Sequence, residues 1–165
     1  MSLVKIACIQ TNSSSDPDEN IDTVSDLIRK ASASGAQIIT TPEVVGMLEP
    51  NRTLALSKAE PEKHHRVLKA FRKLALELDI WLLIGSISIK ISGAKLSNRS
   101  FLINSNGEIV ARYSKIHMFD VEVGDGNQYL ESNTYEPGTE AVIAETPWGL
   151  MGLTICYDIR FPHLF

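Results

Sequence analysis

Cysteine is scarce in this chain, with only Cys8 and Cys156 among 165 residues. That is too few for a disulfide-stapled secreted scaffold, and two such distant thiols are expected to stay reduced in a cytosolic protein. No apolar run reaches the roughly 18 residues that span a bilayer. Positive charge is also in deficit: 16 Lys and Arg against 20 Asp and Glu give a net charge of −4. That balance argues against nucleic acid or an anionic membrane surface as a partner. Internal repeats, low-complexity tracts and linker-like stretches are missing, so one domain over residues 1–165 is expected. No basic leader and signal-type apolar core precede the first strand-like run, which makes the cytoplasm the expected compartment.

What is present is an ordinary globular composition, 44% hydrophobic and 22% charged, long enough to bury about 70% of its unfolded surface. The near-continuous apolar run from Leu3 to Gln10 predicts a strand covered on both faces, with Cys8 as core. Asp16, Pro17 and Glu19 form a helix start. Ile21, Val24, Leu27, Ile28 and Ala31 follow at helical spacing, and Gly35 closes the helix. Residues 37–41 predict a second strand running into Pro42 and Glu43. A second helix is expected from about Pro61, its buried stripe being Val67, Leu68, Phe71, Leu74, Ala75 and Leu78. The adjacent His64 and His65 point to different faces and are expected in solvent. Strands are expected at 80–89, 96–103 and 109–113, the last two joined by a type I′ turn at Asn106-Gly107. A loop over 120–139 then precedes strands at 140–146 and 149–155, with a helix starting at Asp158. Mixed strands and helices in this order predict a layered α/β or α+β domain.

Three residues could carry chemistry. Cys156 ends an apolar strand before a helix start, a strand-to-turn geometry that projects a nucleophile and frees the next backbone N–H. On that local context alone, a core cysteine and a catalytic one stand about equal. A thiol of ordinary pKa is only a few per cent thiolate at neutral pH, so it needs a base, a cation or both. Glu43 and Lys115 each follow a strand end, where a charged group commonly faces a cleft. Read singly, each is more readily a solvated loop charge.

Taken together they match a family. The segments Thr41 to Glu43, Tyr113 to Phe119 and Gly152 to Pro162 resemble the three signature segments of the nitrilase superfamily of carbon–nitrogen hydrolases. Val4 to Gln10 and Ile84 to Ser86 are similar to that family as well. The stretch from Lys115 through Glu122 to Ser132 favours the omega-amidase and deaminated-glutathione amidase branch. The resemblance implies an αββα sandwich and a catalytic triad of Glu43, Lys115 and Cys156. In it Cys156 attacks an amide carbonyl, and Glu43 takes the thiol proton and passes it to departing ammonia. Lys115 and the Tyr157 backbone N–H bind the oxyanion, and water activated by Glu43 hydrolyses the thioester. The ordinary pKa gap between thiol and carboxylate, about 4 units or roughly 6 kcal/mol, must be narrowed by the site. The resemblance further implies that Glu131 orients Lys115, that His117 supports the site and that Asp158 caps the following helix. Arg160 is a candidate to hold a substrate carboxylate.

The expected partner is a small-molecule amide or nitrile, handled without cofactor or metal by a homodimer or larger homo-oligomer. A true nitrilase, a carbamoyl-amine hydrolase or a glutaminase module would share the triad. A metal site built from Cys156, His163 and His117 fits no usual ligand spacing. Members of the family are usually 260 to 300 residues long, and the apolar run to Phe165 reads as mid-element. The chain is therefore expected to be the first half of such a domain. A non-catalytic or partner-dependent fragment of the same fold is the alternative reading.

Overall fold

The computed structural model describes residues 3–91, 93–124 and 126–165. A five-stranded sheet runs in chain order: β1 (Ile6–Cys8), β2 (Ile38–Thr40), β3 (Trp81–Lys90), β4 (Leu96–Ile103) and β5 (Ile109–Ser114). The first three strands are parallel, and β3, β4 and β5 are antiparallel. Helix α1 (Pro17–Ala33) links β1 to β2, while α2 (Arg52–Lys58) and α3 (Arg66–Leu78) lie between β2 and β3. Two hairpins follow, β6 (Asp120–Val123) with β7 (Asn127–Leu130) and β8 (Val142–Thr146) with β9 (Gly149–Leu153).

Helix α1 forms where its signals stand. The Asp16 carboxylate accepts the Asp18 and Glu19 N–H groups, Pro17 opens the first turn, and Gly35 follows the end at φ 87°. These satisfy orphan backbone groups at both ends. The expected stripe of α3 packs with Val24 and Ile28 of α1 onto one sheet face, against Ile39, Leu82, Ile84, Ile87, Ile89, Phe101 and Ile103. On the opposite face Trp81, Leu83, Leu102, Ala111 and Tyr113 pack against Val142, Ala144, Met151, Leu153 and Ile155 of the β8–β9 segment. The layers are therefore helices, sheet, and a second small sheet, the layered α/β arrangement expected.

Several local expectations change. The β8–β9 hairpin lies over the later strands, so one face of β1 stays uncovered: Ala7 and Ile9 pack on the helical side, whereas Cys8 is exposed and Ile6 is half exposed. Cys8 is not core. His65 stands at the start of α3 and is buried, unlike exposed His64. The helix expected from Pro61 begins at Arg66, after one 3-10 turn at Glu62–His64.

The β4–β5 connection also differs from a type I′ turn. The Gly107 N–H donates to the Asn104 carbonyl, and the left-handed conformation falls on Gly107 (φ 73°) but not on Asn106. The Asn104 side chain accepts the Asn106 and Glu108 N–H groups and holds that wider turn. The expected loop at 120–139 contains the β6–β7 hairpin, although position 125 lies outside the described residues. Helix α2 carries too short an apolar pattern to stand out in the sequence.

Candidate active site

Lys115 follows β5. Side chains alternate along a strand, so Ala111, Tyr113 and Lys115 share the face turned toward β8–β9, as do Leu102, Ser100 and Asn98 on β4. The Lys115 N–H donates to the Asn98 carbonyl at 2.9 Å and keeps the two positions side by side. Lys115 is only 2% exposed, which demands compensation of its charge.

Glu43 lies in the turn after β2, and β3 shapes that turn. The Thr41 N–H donates to the Leu83 carbonyl, and the Gly85 N–H donates to Thr41 Oγ1. A Cβ at Gly85 would stand 2.0 Å from the Thr41 carbonyl oxygen, so only glycine permits this approach. The β3–β4 register shifts between Ile84 and Ile87, a bulge that keeps Ile87 and Ile89 on the helical face. In the bulge Ser86 Oγ accepts the Val44 N–H at 2.8 Å, and its carbonyl accepts the Val45 N–H at 3.1 Å. These bonds hold Val44 at φ 45°, a conformation β-branched residues rarely adopt.

Cys156 is the third non-glycine residue at the site with a left-handed backbone, at φ 46°; Ser86 is at φ 154°. Cys156 opens a single 3-10 turn, Cys156–Arg160, where a helix was expected. So short a turn has no appreciable macrodipole to add positive potential at the thiol. Asp158 anchors the turn instead. Fully buried, its carboxylate accepts the Ile155 N–H (2.9 Å), the Tyr113 hydroxyl (2.6 Å) and the His117 N–H (3.0 Å), and it bonds the His117 ring (2.8 Å). Burial alone would raise its pKa, but the Tyr113 hydroxyl, the Ile155 N–H and the His117 contacts hold it below the usual carboxylate range. The same burial and hydrogen bond push the Tyr113 phenol up. Asp158 thus ties the cysteine turn to the segment that follows Lys115, a larger part than capping.

The groups converge on Lys115. Its Nζ lies 2.9 Å from Glu43 Oε1, and 3.1 and 2.8 Å from the two oxygens of Glu131. Burial alone would lower the lysine pKa, but the Glu131 and Glu43 hydrogen bonds and charges overcome it and raise the value. The amine is therefore a fixed ammonium. Cys156 has the opposite character. Although the residue is exposed, local desolvation and the adjacent Glu43 charge push its thiol up, with Lys115 only partly offsetting them. Two ionised carboxylates outweigh one ammonium, so the resting field favours thiol over thiolate. Of the two carboxylates, Glu43 acts the more strongly on that thiol.

The structure thus brings together Glu43, Lys115, Cys156 and Glu131 from four separate segments. The Tyr157 N–H lies in the first turn after the nucleophile, where backbone donors have no intrahelical acceptor. Arg160 and its neighbour Ile159 are exposed, and Arg160 forms no ion pair among the described residues. The His117 ring stacks on Phe161 at 3.6 Å.

Asn98 and Tyr135 went unnoticed in the sequence. Asn98, 1% exposed, donates to Glu43 Oε1 at 2.8 Å and to Glu131 Oε1 at 3.2 Å. The Tyr135 hydroxyl bonds Ser88 Oγ at 2.7 Å, and burial, with the Glu131 and Glu43 charges adding, pushes its phenol up. The available signal for Asn98 was an amide on the same strand face as buried Ser100 and Leu102.

Known proteins share these features. The carbon-nitrogen hydrolase family model matches residues 5–165. A deaminated glutathione amidase of Yersinia enterocolitica is 35% identical over all of this chain, which covers 58% of that protein. The crystal structure of the C. elegans NitFhit protein superposes with a TM-score of 0.84 at 30% identity, over 98% of this chain and 41% of that one. An amidase from Nesterenkonia sp. AN1, caught with acrylamide added to its active-site cysteine, shares the fold at 24% identity, with a TM-score of 0.82 over 98% of this chain and 61% of its own. This chain spans little more than half the length of the curated relatives it matches. On the family match, supported by the sequence relatives and the shared fold, the chain belongs to the carbon-nitrogen hydrolase family.

Proposed function

We propose that this chain carries the reacting groups of an amidase that cleaves a small amide to acid and ammonia through a cysteine thioester. The observation that supports this best is the buried Lys115 ammonium bridging Glu43 and Glu131, with the Cys156 thiol in the field of the Glu43 charge.

The chemistry follows from those charges. Because the thiol rests protonated, Glu43 must take its proton as Sγ forms a bond to the amide carbonyl carbon. The carbonyl electron pair moves onto oxygen, which meets the Lys115 ammonium and the Tyr157 N–H. Collapse re-forms the carbonyl and breaks the C–N bond, and Glu43 hands its proton to the leaving nitrogen. Water then gives a proton to Glu43 and adds to the thioester. The C–S bond breaks, and the sulfur recovers the proton. Lys115 keeps its own proton throughout, as an ammonium clamped by two carboxylates would.

A substrate of the deaminated-glutathione type, an amide bearing a carboxylate, is the preferred class, in line with what the Yersinia relative is named for. Arg160, exposed and without an ion-pair partner among the described residues, is the cation proposed to receive that carboxylate. Ammonia release from α-ketoglutaramate, deaminated glutathione, a nitrile and an N-carbamoyl amino acid tests the choice. The carboxylated amides should lead, and Cys156→Ala should abolish release. Release that survives Cys156→Ala would sink the triad.

A second reading, a partner-dependent fragment, is favoured by the large apolar residues left open around β8, β9 and the cysteine turn. Ile143 is 69%, Leu150 74% and Ile159 74% exposed. On that reading the isolated chain self-associates on size exclusion and releases little ammonia, while still reacting with electrophiles at Cys156.

A further inference from the structure

Glu43 and Glu131 flank the same lysine, yet their hydrogen bonding is unequal. Both oxygens of Glu131 are occupied twice: Oε1 by Lys115 Nζ and Asn98 Nδ2, Oε2 by Lys115 Nζ and the Phe119 N–H at 2.7 Å. On Glu43 both donors, Asn98 Nδ2 and Lys115 Nζ, fall on Oε1. Its Oε2 receives no hydrogen bond among the described residues.

We infer that Asn98 is a positioning residue, which with Lys115 pins Glu43 by Oε1 so that Oε2 alone is the oxygen that exchanges protons with Cys156. This rests on the reading of Glu43 as the base. A carboxylate held by one oxygen keeps one rotational setting, and a lone pair without a donor is free to accept a proton. Glu131, with four hydrogen bonds from three donor groups, has no such lone pair to spare and serves only to hold the cation.

The orientation of the Asn98 amide follows from its surroundings. Turning it over would set Oδ1 against two carboxylates, whereas as it stands the NH2 group bridges them. Oδ1 is then left buried without a hydrogen-bond partner among the described residues. An unpaired buried acceptor destabilises the fold, so this amide is kept for its donors and not for stability. Its backbone has a separate task, accepting the Lys115 N–H, which any residue at position 98 could perform.

The test uses the full chain and does not require turnover. Iodoacetamide alkylation of Cys156 is followed by mass spectrometry across pH, with exposed Cys8 as internal reference. Replacing the base in Glu43→Gln should slow Cys156 at pH 7 by about a hundredfold. Asn98→Ala, by loosening the same base, should slow it about tenfold without changing Cys8. Two further results are specific to positioning. The Asn98→Ala and native rates should converge above the thiol pKa, where hydroxide replaces the base. Asn98→Ala should also add nothing in a Glu43→Gln background. Native-like reactivity in Asn98→Ala at pH 7, or an equal slowing on top of Glu43→Gln, overturns the inference. If Glu43→Gln itself leaves Cys156 unchanged, the reading of Glu43 as base fails instead. Should Asn98→Ala fold poorly, as judged by circular dichroism, Asn98→Leu makes the same comparison, since it keeps much of the shape and removes both donors without adding a charge.

Discussion

The two faces of the five-stranded sheet obey different rules. The core of the helical face is one apolar cluster, and most of its residues could be read from period alone. At the Lys115 end of the opposite face lie a buried ammonium, an unpaired amide oxygen and, nearby, three non-glycine residues with positive φ, Val44, Ser86 and Cys156. Each of those features costs stability, and the helical face offsets it. Departures from local preference gather where chemistry needs groups that folding alone would not choose.

The largest expected effects test whether the two faces fail for different reasons. Phe71→Ala, at a fully buried position under the helices, should cost about 3–5 kcal/mol in urea unfolding, through the cavity it leaves. Lys115→Ala should cost a similar amount, about 3–5 kcal/mol, but by stranding Glu43 and Glu131 against each other. Acid separates the two. Protonating a carboxylate relieves the second penalty, so the Lys115→Ala deficit should shrink between pH 7 and about pH 4, while that of Phe71→Ala should not. Equal deficits at both pH values would erase the distinction between the faces.

A smaller effect concerns how the faces communicate. Gly85→Ala sets a Cβ against the Thr41 and Pro42 backbone that carries Glu43. Cys156 alkylation should slow by about tenfold or more, since an ångström of misplacement costs about that much or more. Phe71→Leu, on the helical face, should lose stability and leave alkylation unchanged.

The smallest effect sits where α3 meets β3. His65 is buried, with Nδ1 unpaired, and its pKa is lowered, chiefly by burial. Its folded pKa lies below its unfolded one, so the unfolded chain binds the proton more readily. Stability should be full above about pH 6.5, the ordinary histidine value, and fall as pH drops toward the lowered one. Urea midpoints in that window should fall less for His65→Gln than for the native chain.

Much of this was legible in the sequence, and the exceptions share a cause. Asp16, Pro17 and Gly35 act within a few residues of themselves, so α1 could be read directly. The α3 stripe was legible because helix period and burial agree. Glu43, Lys115 and Cys156 were legible as members of three signature segments, not from local pattern. Asn98 was not, because its partners Glu43 and Glu131 lie 55 and 33 residues away and no short-range rule records them. His65 and Cys8 were misjudged for one reason: each exposure depends on which distant element covers it. His65 is sealed beside β3, while the β8–β9 hairpin does not reach β1.

By itself, then, the sequence determined the order of the five sheet strands, of helices α1 and α3 and of β8 and β9, the apolar stripe of the helical face and the residue types available for nucleophile, base and cation. Those are set by short-range sterics and side-chain chemistry. Only the tertiary structure decided that Lys115 lies between two carboxylates, that the Asn98 and Lys115 bonds to Glu43 fall on one oxygen and that the Cys156 turn hangs from Asp158. Hydrogen bonds and charges act over a few ångströms in space, whatever their separation along the chain.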